Sequence, residues 1–200
     1  MMVLASMTAV YAAAVLFVPG FGPPFVAALR ASIPLPILAH ITGGLVAVAM
    51  GPWQLNARLR ARAIEAHRWL GRVYVIAVAV GGLGALALAR GSQEGAVTHV
   101  GFGLLAVLWL TATAQAYRRI RAGDVASHRR WMIRSYALTL AAVTLRFYLP
   151  LALAAGISFH DAYSVISWLC WVPNLVVAEW IVLSRANRAV DVAQPRRAVT

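Results

Sequence analysis

The chemistry-bearing side chains of this 200-residue chain are five histidines, one cysteine, six carboxylates and 18 basic residues, every one of them arginine. Four histidines fall into two matched sets. His40-Ile41-Thr42-Gly43-Gly44-Leu45-Val46-Ala47-Val48 and His99-Val100-Gly101-Phe102-Gly103-Leu104-Leu105-Ala106-Val107 share the pattern H-x-x-x-G-L-x-A-V, 59 positions apart. The pairs His67-Arg68 and His128-Arg129 precede two W-x-x-R-x-Y motifs, Trp69 to Tyr74 and Trp131 to Tyr136, 62 positions apart. Two neutral imidazoles facing each other across helices are the axial ligands of a six-coordinate b-type haem, which needs no cysteine attachment. Zinc or copper also accepts imidazole, but no carboxylate or thiolate accompanies these histidines. The lone Cys170 excludes an internal disulfide framework and a cysteine-based zinc or iron–sulfur centre.

The elements that must position these histidines follow from composition. At 62% hydrophobic and 12% charged, the chain is far more apolar than soluble domains, which average about 45–50% and about 25%. A mean hydropathy of +0.75 leaves too little polar side chain to coat a water-soluble globule and excludes disorder. Six apolar runs, at about 3–19, 36–53, 70–89, 98–117, 132–151 and 162–184, approach the roughly 20 residues a membrane helix needs. The expected fold is all-α: a single integral membrane domain over 1–200 with six transmembrane helices. The first run has no basic residue ahead of it and reads as a retained helix, not a signal peptide. Pro19, Pro23, Pro24, Pro34 and Pro36 are expected to enforce an irregular loop before the second run.

A net charge of +12 raises the question of nucleic acid. The arginines instead cluster between apolar runs, as membrane proteins distribute them, and no nucleic-acid partner is expected. Arg58, Arg60, Arg62, Arg68 and Arg72 follow the second run; Arg118, Arg119, Arg121, Arg129, Arg130 and Arg134 follow the fourth. Arg185, Arg188, Arg196 and Arg197 follow the sixth, leaving only Arg30, Arg90 and Arg146 toward the other side. The excess of basic residues inside then places both termini and the two arginine-rich loops in the cytoplasm.

The matched motifs indicate a duplicated hairpin, with units of about 36–90 and 98–151 forming a core four-helix bundle. Pseudo-symmetry sets His40 opposite His99 in the outer leaflet and His67 opposite His128 in the inner, on the order of 20 Å apart. Gly44 and Gly103 lie four residues after their histidines, on the same helix face, where a macrocycle edge finds room. Arg72 and Arg134 are candidate partners for haem propionates, with Arg146 the one comparable cation at the outer level. Gly/Ala stripes also serve ordinary helix packing, and the arginines serve topology and lipid contact. In the sixth run, about 162–184, Trp171-Val172-Pro173-Asn174 puts a proline mid-span, with Asn174 placed to satisfy freed backbone. Glu179 is a partner for Arg134 or Arg72, or a proton-accepting carboxylate. His160-Asp161 reads as a solvated loop and cap.

The stretch from His40 to Pro150 resembles a bacterial family of small membrane proteins of unknown function. The resemblance is carried by His40, Gly51-Pro52-Trp53-Gln54, His67-Arg68 with Gly71-Arg72 and Tyr74, and His128-Arg129. More distantly, one histidine on each of the second to fifth spans resembles transmembrane cytochrome b561. That likeness implies two haems, His40 and His99 on the outer and His67 and His128 on the inner, in an oxidoreductase of the bacterial inner membrane. Partners implied are the lipid bilayer and a quinone or small-molecule redox partner, with a second copy of the chain a candidate for a homo-dimer. Two other readings stay open: a non-enzymatic module binding lipid, quinone or a partner subunit, and a proton- or metal-coupled transporter titrating Glu179 and the histidines.

Overall fold

A computed structural model describes the backbone of residues 2–90 and 94–193 and the side chains of residues 3–90 and 94–186. Its regular structure among those residues is helical, in ten segments: α1 (Met2–Phe17), α2 (Pro24–Ser32), α3 (Pro34–Gln54), α4 (Ala57–Arg62), α5 (Ile64–Arg90), α6 (Gly95–Arg121), α7 (Val125–Thr139), α8 (Ala141–Ala154), α9 (Phe159–Leu169) and α10 (Val172–Ala193). Five stretches are long and apolar enough to cross a bilayer: α3, α5, α6, α7 with α8, and α9 with α10 as far as Ala186. The chain is a polytopic helical membrane protein. Within a bilayer a helix satisfies its backbone internally, which is why so apolar a sequence folds this way. At 16 residues, α1 extends about 24 Å at 1.5 Å per residue, shorter than the roughly 30 Å hydrocarbon layer.

The prolines before the second run produce the expected irregular loop only over 18–23, which holds Pro19 and Pro23. Pro24 opens α2 and Pro34 opens α3. At the first helical position the missing N–H is one that would have no intrahelical partner, and the fixed φ suits a helix. Between α3 and α5, the Asn56 carbonyl oxygen of the side chain accepts from Arg58 N–H at 2.9 Å and Leu59 N–H at 3.2 Å, capping the six residues of α4. Of the tail arginines, Arg185 has a described side chain; Arg188, Arg196 and Arg197 lie outside the described side chains.

Two spans are broken. The last one breaks at Cys170 and Trp171, just before Pro173. There the Cys170 carbonyl accepts from Asn174 Nδ2 at 2.9 Å and from Thr144 Oγ1 at 2.7 Å. The other break, at Leu140, has no proline. Thr139 donates to the Ser135 carbonyl four residues back at 3.0 Å, and Thr144 shares its one hydroxyl proton between the Cys170 carbonyl and its own i−4 carbonyl, Leu140, at 2.8 Å; such back-bonding loosens a helix.

The packing is a ring of four. The most extensive interface is α3 on α5, followed by α6 on α7 and α5 on α6, and α3 closes the ring against α7. Outside it, α9 lies on α6 and α8, α10 on α7, and α1 on α3 and α8. The α3–α5 crossing is backbone on backbone: a Cβ at Gly43 would collide with the Ala77 carbonyl and Gly81 N. A Cβ at Gly84 would stand 2.7 Å from His40 N and the Pro36 carbonyl. Small residues permit this approach, the usual route to van der Waals contact where lipid removes any hydrophobic drive between helices.

Candidate functional site

All four motif histidines are half-buried on the ring helices. His40 Nδ1 lies 3.1 Å from the Gly81 carbonyl of α5, and His128 Nδ1 lies 2.9 Å from the Ala116 carbonyl of α6. A carbonyl only accepts, so Nδ1 carries the proton in both rings and Nε2 keeps its lone pair. In His99 the roles are reversed, with Nε2 donating to the Arg90 carbonyl at 2.7 Å. His67 Nδ1 is buried with no hydrogen-bond partner.

The imidazoles at the arginine-rich end are level. Tyr74 Oη lies 2.8 Å from Ser135 Oγ across the ring, and these residues follow His67 and His128 by seven positions each. Because α5 and α7 both run from the arginine-rich end, equal offsets put the two histidines at one height. His67 and His128 are also within electrostatic range of one another. Those at the opposite end are staggered. His40 and His99 are tethered to α5 at Gly81 and Arg90, nine residues apart, which is about 13 Å along a helix axis.

Space divides differently from donors. A Cβ at Gly44 would meet nothing within 4 Å, and one at Gly103 would meet only Ala89 Cβ at 3.8 Å, so backbone beside the outer histidines is open. At the inner level a Cβ at Gly71 would stand 3.1 Å from Gln54 Oε1. Met132, one turn beyond His128, is buried in the core. At this level, then, the side chains of Gln54 and Met132 lie near the histidines in sequence and packing, where the opposite end leaves open backbone.

Between the two levels sits a polar cluster that the motif reading missed. Besides Ser135, Tyr74 Oη contacts Thr139 Oγ1 at 2.8 Å; Thr113 Oγ1 reaches Ser135 Oγ at 2.6 Å, and Trp109 Nε1 donates to Thr139 Oγ1 at 2.9 Å. All five residues are buried. Their signal was present as two i, i+4 pairs of hydrogen-bonding residues within apolar runs, Trp109 with Thr113 and Ser135 with Thr139.

The inner arginines are placed unequally. Arg72 and Arg134 each stack over the motif tryptophan three residues earlier, at 5.8 Å over Trp69 and 4.7 Å over Trp131. Arg134 also forms a bidentate pair with Glu179 of α10, at 2.5 and 2.7 Å. That pair occupies the guanidinium that sequence reasoning offered to a propionate, and Arg72 remains exposed with no carboxylate bonded to it among the described residues. At the opposite end Ser158 caps α9 and bonds Asp161, while His160 Nδ1 lies 2.9 Å from Glu94 Oε2. Near the arginine-rich loops, hydrogen bonds from the Ser127 hydroxyl and backbone N–H hold the Asp124 carboxyl below the usual carboxylate range.

Compared with curated proteins and with solved structures, the chain finds no match. A family model does match, described as a predicted membrane protein, DUF2306, over residues 37–182. That interval holds all four ring histidines, the central hydroxyl cluster and Glu179, and the chain belongs to the DUF2306 family of predicted membrane proteins.

Proposed function

We propose that this protein is a membrane haem protein that carries electrons between the two faces of a bacterial inner membrane. One b-type haem per leaflet would be held by His67 with His128 at the inner level and by His40 with His99 at the outer. The observation that carries the reading is the equal height of His67 and His128, on diagonal helices, with His128 Nδ1 committed to the Ala116 carbonyl. A ring nitrogen fixed this way orients the other as a ligand and raises its basicity. His40 is oriented likewise by Gly81. His99 is turned to the Arg90 carbonyl, about 13 Å along α5 from the carbonyl that holds His40, so the outer pair would need both rings to leave these carbonyls and α3 and α6 to shift. Gln54 and Met132 are the side chains a macrocycle would displace at the inner level.

A bis-imidazole haem exchanges single electrons without opening a coordination position. The chain's own residues hold the rings, exclude water between the levels through the Tyr74–Trp109 cluster, and set the charge around each site. In this reading α1 completes a set of six spans, the paired motifs mark a duplicated hairpin, and both termini face the cytoplasm with the arginine-rich connections. The redox partners are a small-molecule donor and an acceptor or quinone, with no nucleic acid involved.

Purification in detergent after expression with added haem precursor tests it. A reducible Soret band is expected, with His67→Ala or His128→Ala removing one spectral component and His40→Ala removing the other. A colourless protein that takes up no haemin ends the reading.

A further inference from the structure

Arg146 stands in the membrane-spanning part of α8, about two turns from its outer end. Its Nη1 donates to its own i−4 carbonyl, Ala142, at 2.8 Å, and its guanidinium lies 5.2 Å from the centre of the Tyr11 ring on α1. Its Nε is buried with no acceptor. The groups facing it are His40 of α3, Tyr11 of α1 and Tyr163 of α9. No carboxylate is paired with it among the described residues, since Glu179 holds Arg134, Glu94 holds His160, and Asp124 and Asp161 bond Ser127 and Ser158. Glu65 begins α5 at the opposite, arginine-rich end.

A charge held within the membrane without a counter-charge is destabilising, and intramembrane arginines pair or mark a ligand path. Arg30 also has a buried Nε without an acceptor. It differs in standing on α2, a nine-residue helix with no buried residue, where it caps the end of α1 through the Val15 carbonyl at 2.5 Å. Arg146 has no such structural carbonyl beyond its own helix. The open backbone at Gly44 lies on α3 one turn past His40.

We infer that Arg146 is the anchor of an oxyanion-binding site in the outer half of the membrane, between α1, α3 and α8 and beside His40. Its ligand carries a carboxylate or phosphate. Two sources have that chemistry: a propionate of a haem held at His40, which rests on the reading above, and the phosphate of an anionic phospholipid, which does not.

The test is thermal unfolding of lipid-free protein in neutral detergent, for the unaltered chain, Arg146→Met and Arg146→Lys. Each is measured alone, with haemin, with phosphatidylglycerol and with phosphatidylcholine. Alone, Arg146→Met is expected to be at least as stable as the unaltered chain, because an intramembrane charge without a counter-charge has been removed. Haemin or phosphatidylglycerol is expected to stabilise the unaltered chain and Arg146→Lys. Affinity for that ligand should fall about tenfold or more in Arg146→Met, the scale of one charged hydrogen bond. A response to haemin alone assigns the carboxylate source, and a response to phosphatidylglycerol over phosphatidylcholine assigns the lipid. If no haemin binds to any form, the haem reading fails while the lipid comparison still decides this site. Equal responses of all three proteins to every addition overturn the inference. So does an Arg146→Met chain that is less stable alone or does not fold, because the arginine is then a clamp on Tyr11 and α8.

Discussion

Tyr74 and Tyr136 close the two W-x-x-R-x-Y motifs, and both are buried, at 0% and 2% exposure. Tyr74 Oη touches Ser135 and Thr139, whereas Tyr136 Oη has no partner and its ring fills the notch that Gly51 leaves on α3. The difference comes from what stands opposite. Tyr74 faces the hydroxyl-bearing side of α7; Tyr136 faces the glycine-bearing side of α3. One hairpin, α3 with α5, closes by backbone contact, and α6 with α7 is joined to α5 through hydroxyls. Similar sequence motifs can therefore sit in opposite energetic surroundings.

Substitutions can break that contrast or sharpen it. The largest effect is expected at Gly43, where any Cβ meets α5 backbone that no rotamer change relieves. Gly43→Leu should cost about 3 kcal/mol through overpacking, read as a lowered unfolding midpoint in detergent. Tyr74→Phe should cost about 1–2 kcal/mol, the range for a buried hydrogen bond between membrane helices, and a double-mutant cycle with Ser135→Ala should show coupling. Glu179→Gln should cost roughly 0.5–1 kcal/mol, because the Arg134 pair is partly exposed. In the other hairpin, Arg72→Gln should change stability less, having no such carboxylate. Tyr136→Phe should be neutral or stabilising, since it removes a hydroxyl that is desolvated without compensation; a loss comparable to Tyr74→Phe would erase the contrast. The smallest effect is at the cap of α7. Asp124 is held below its ordinary range in the folded chain, so its capping contribution is present at neutral pH. That contribution is lost as pH falls through the lowered value. Amide exchange in the first turn of α7 should be unchanged from pH 7 to about 5 and speed up only in stronger acid, relative to Asp124→Asn.

Helix existence was legible because apolar runs and arginine clusters are local features: the second run, 36–53, lies within Pro34–Gln54. The sixth was expected to kink at Pro173, and its break falls two residues earlier. Two helices, α2 and α4, were not seen. Two of the prolines that read as loop residues, Pro24 and Pro34, are helix starts, and six residues around three arginines show no periodicity. The break at Leu140 and the central cluster were equally hidden, because threonine and serine in an apolar run read as small packing residues until the fold brings Tyr74 against residues 61 and 65 positions away. The histidine pattern located all four rings on the ring helices. The pairing of Glu179 with Arg134, one of the two arginines offered to it, was legible; that His99 turns to the carbonyl of Arg90 was not, since side-chain direction depends on neighbours distant along the chain.

The interruption at Cys170 lets a single pass through the membrane serve two different neighbours. The half before the break, α9, lies on α6, and the half after it, α10, lies on α7. The doubly engaged Cys170 carbonyl pins the joint to α8 through Thr144. The last span thus works as a splint set across the seam of the second hairpin, locked at the bend by one oxygen atom.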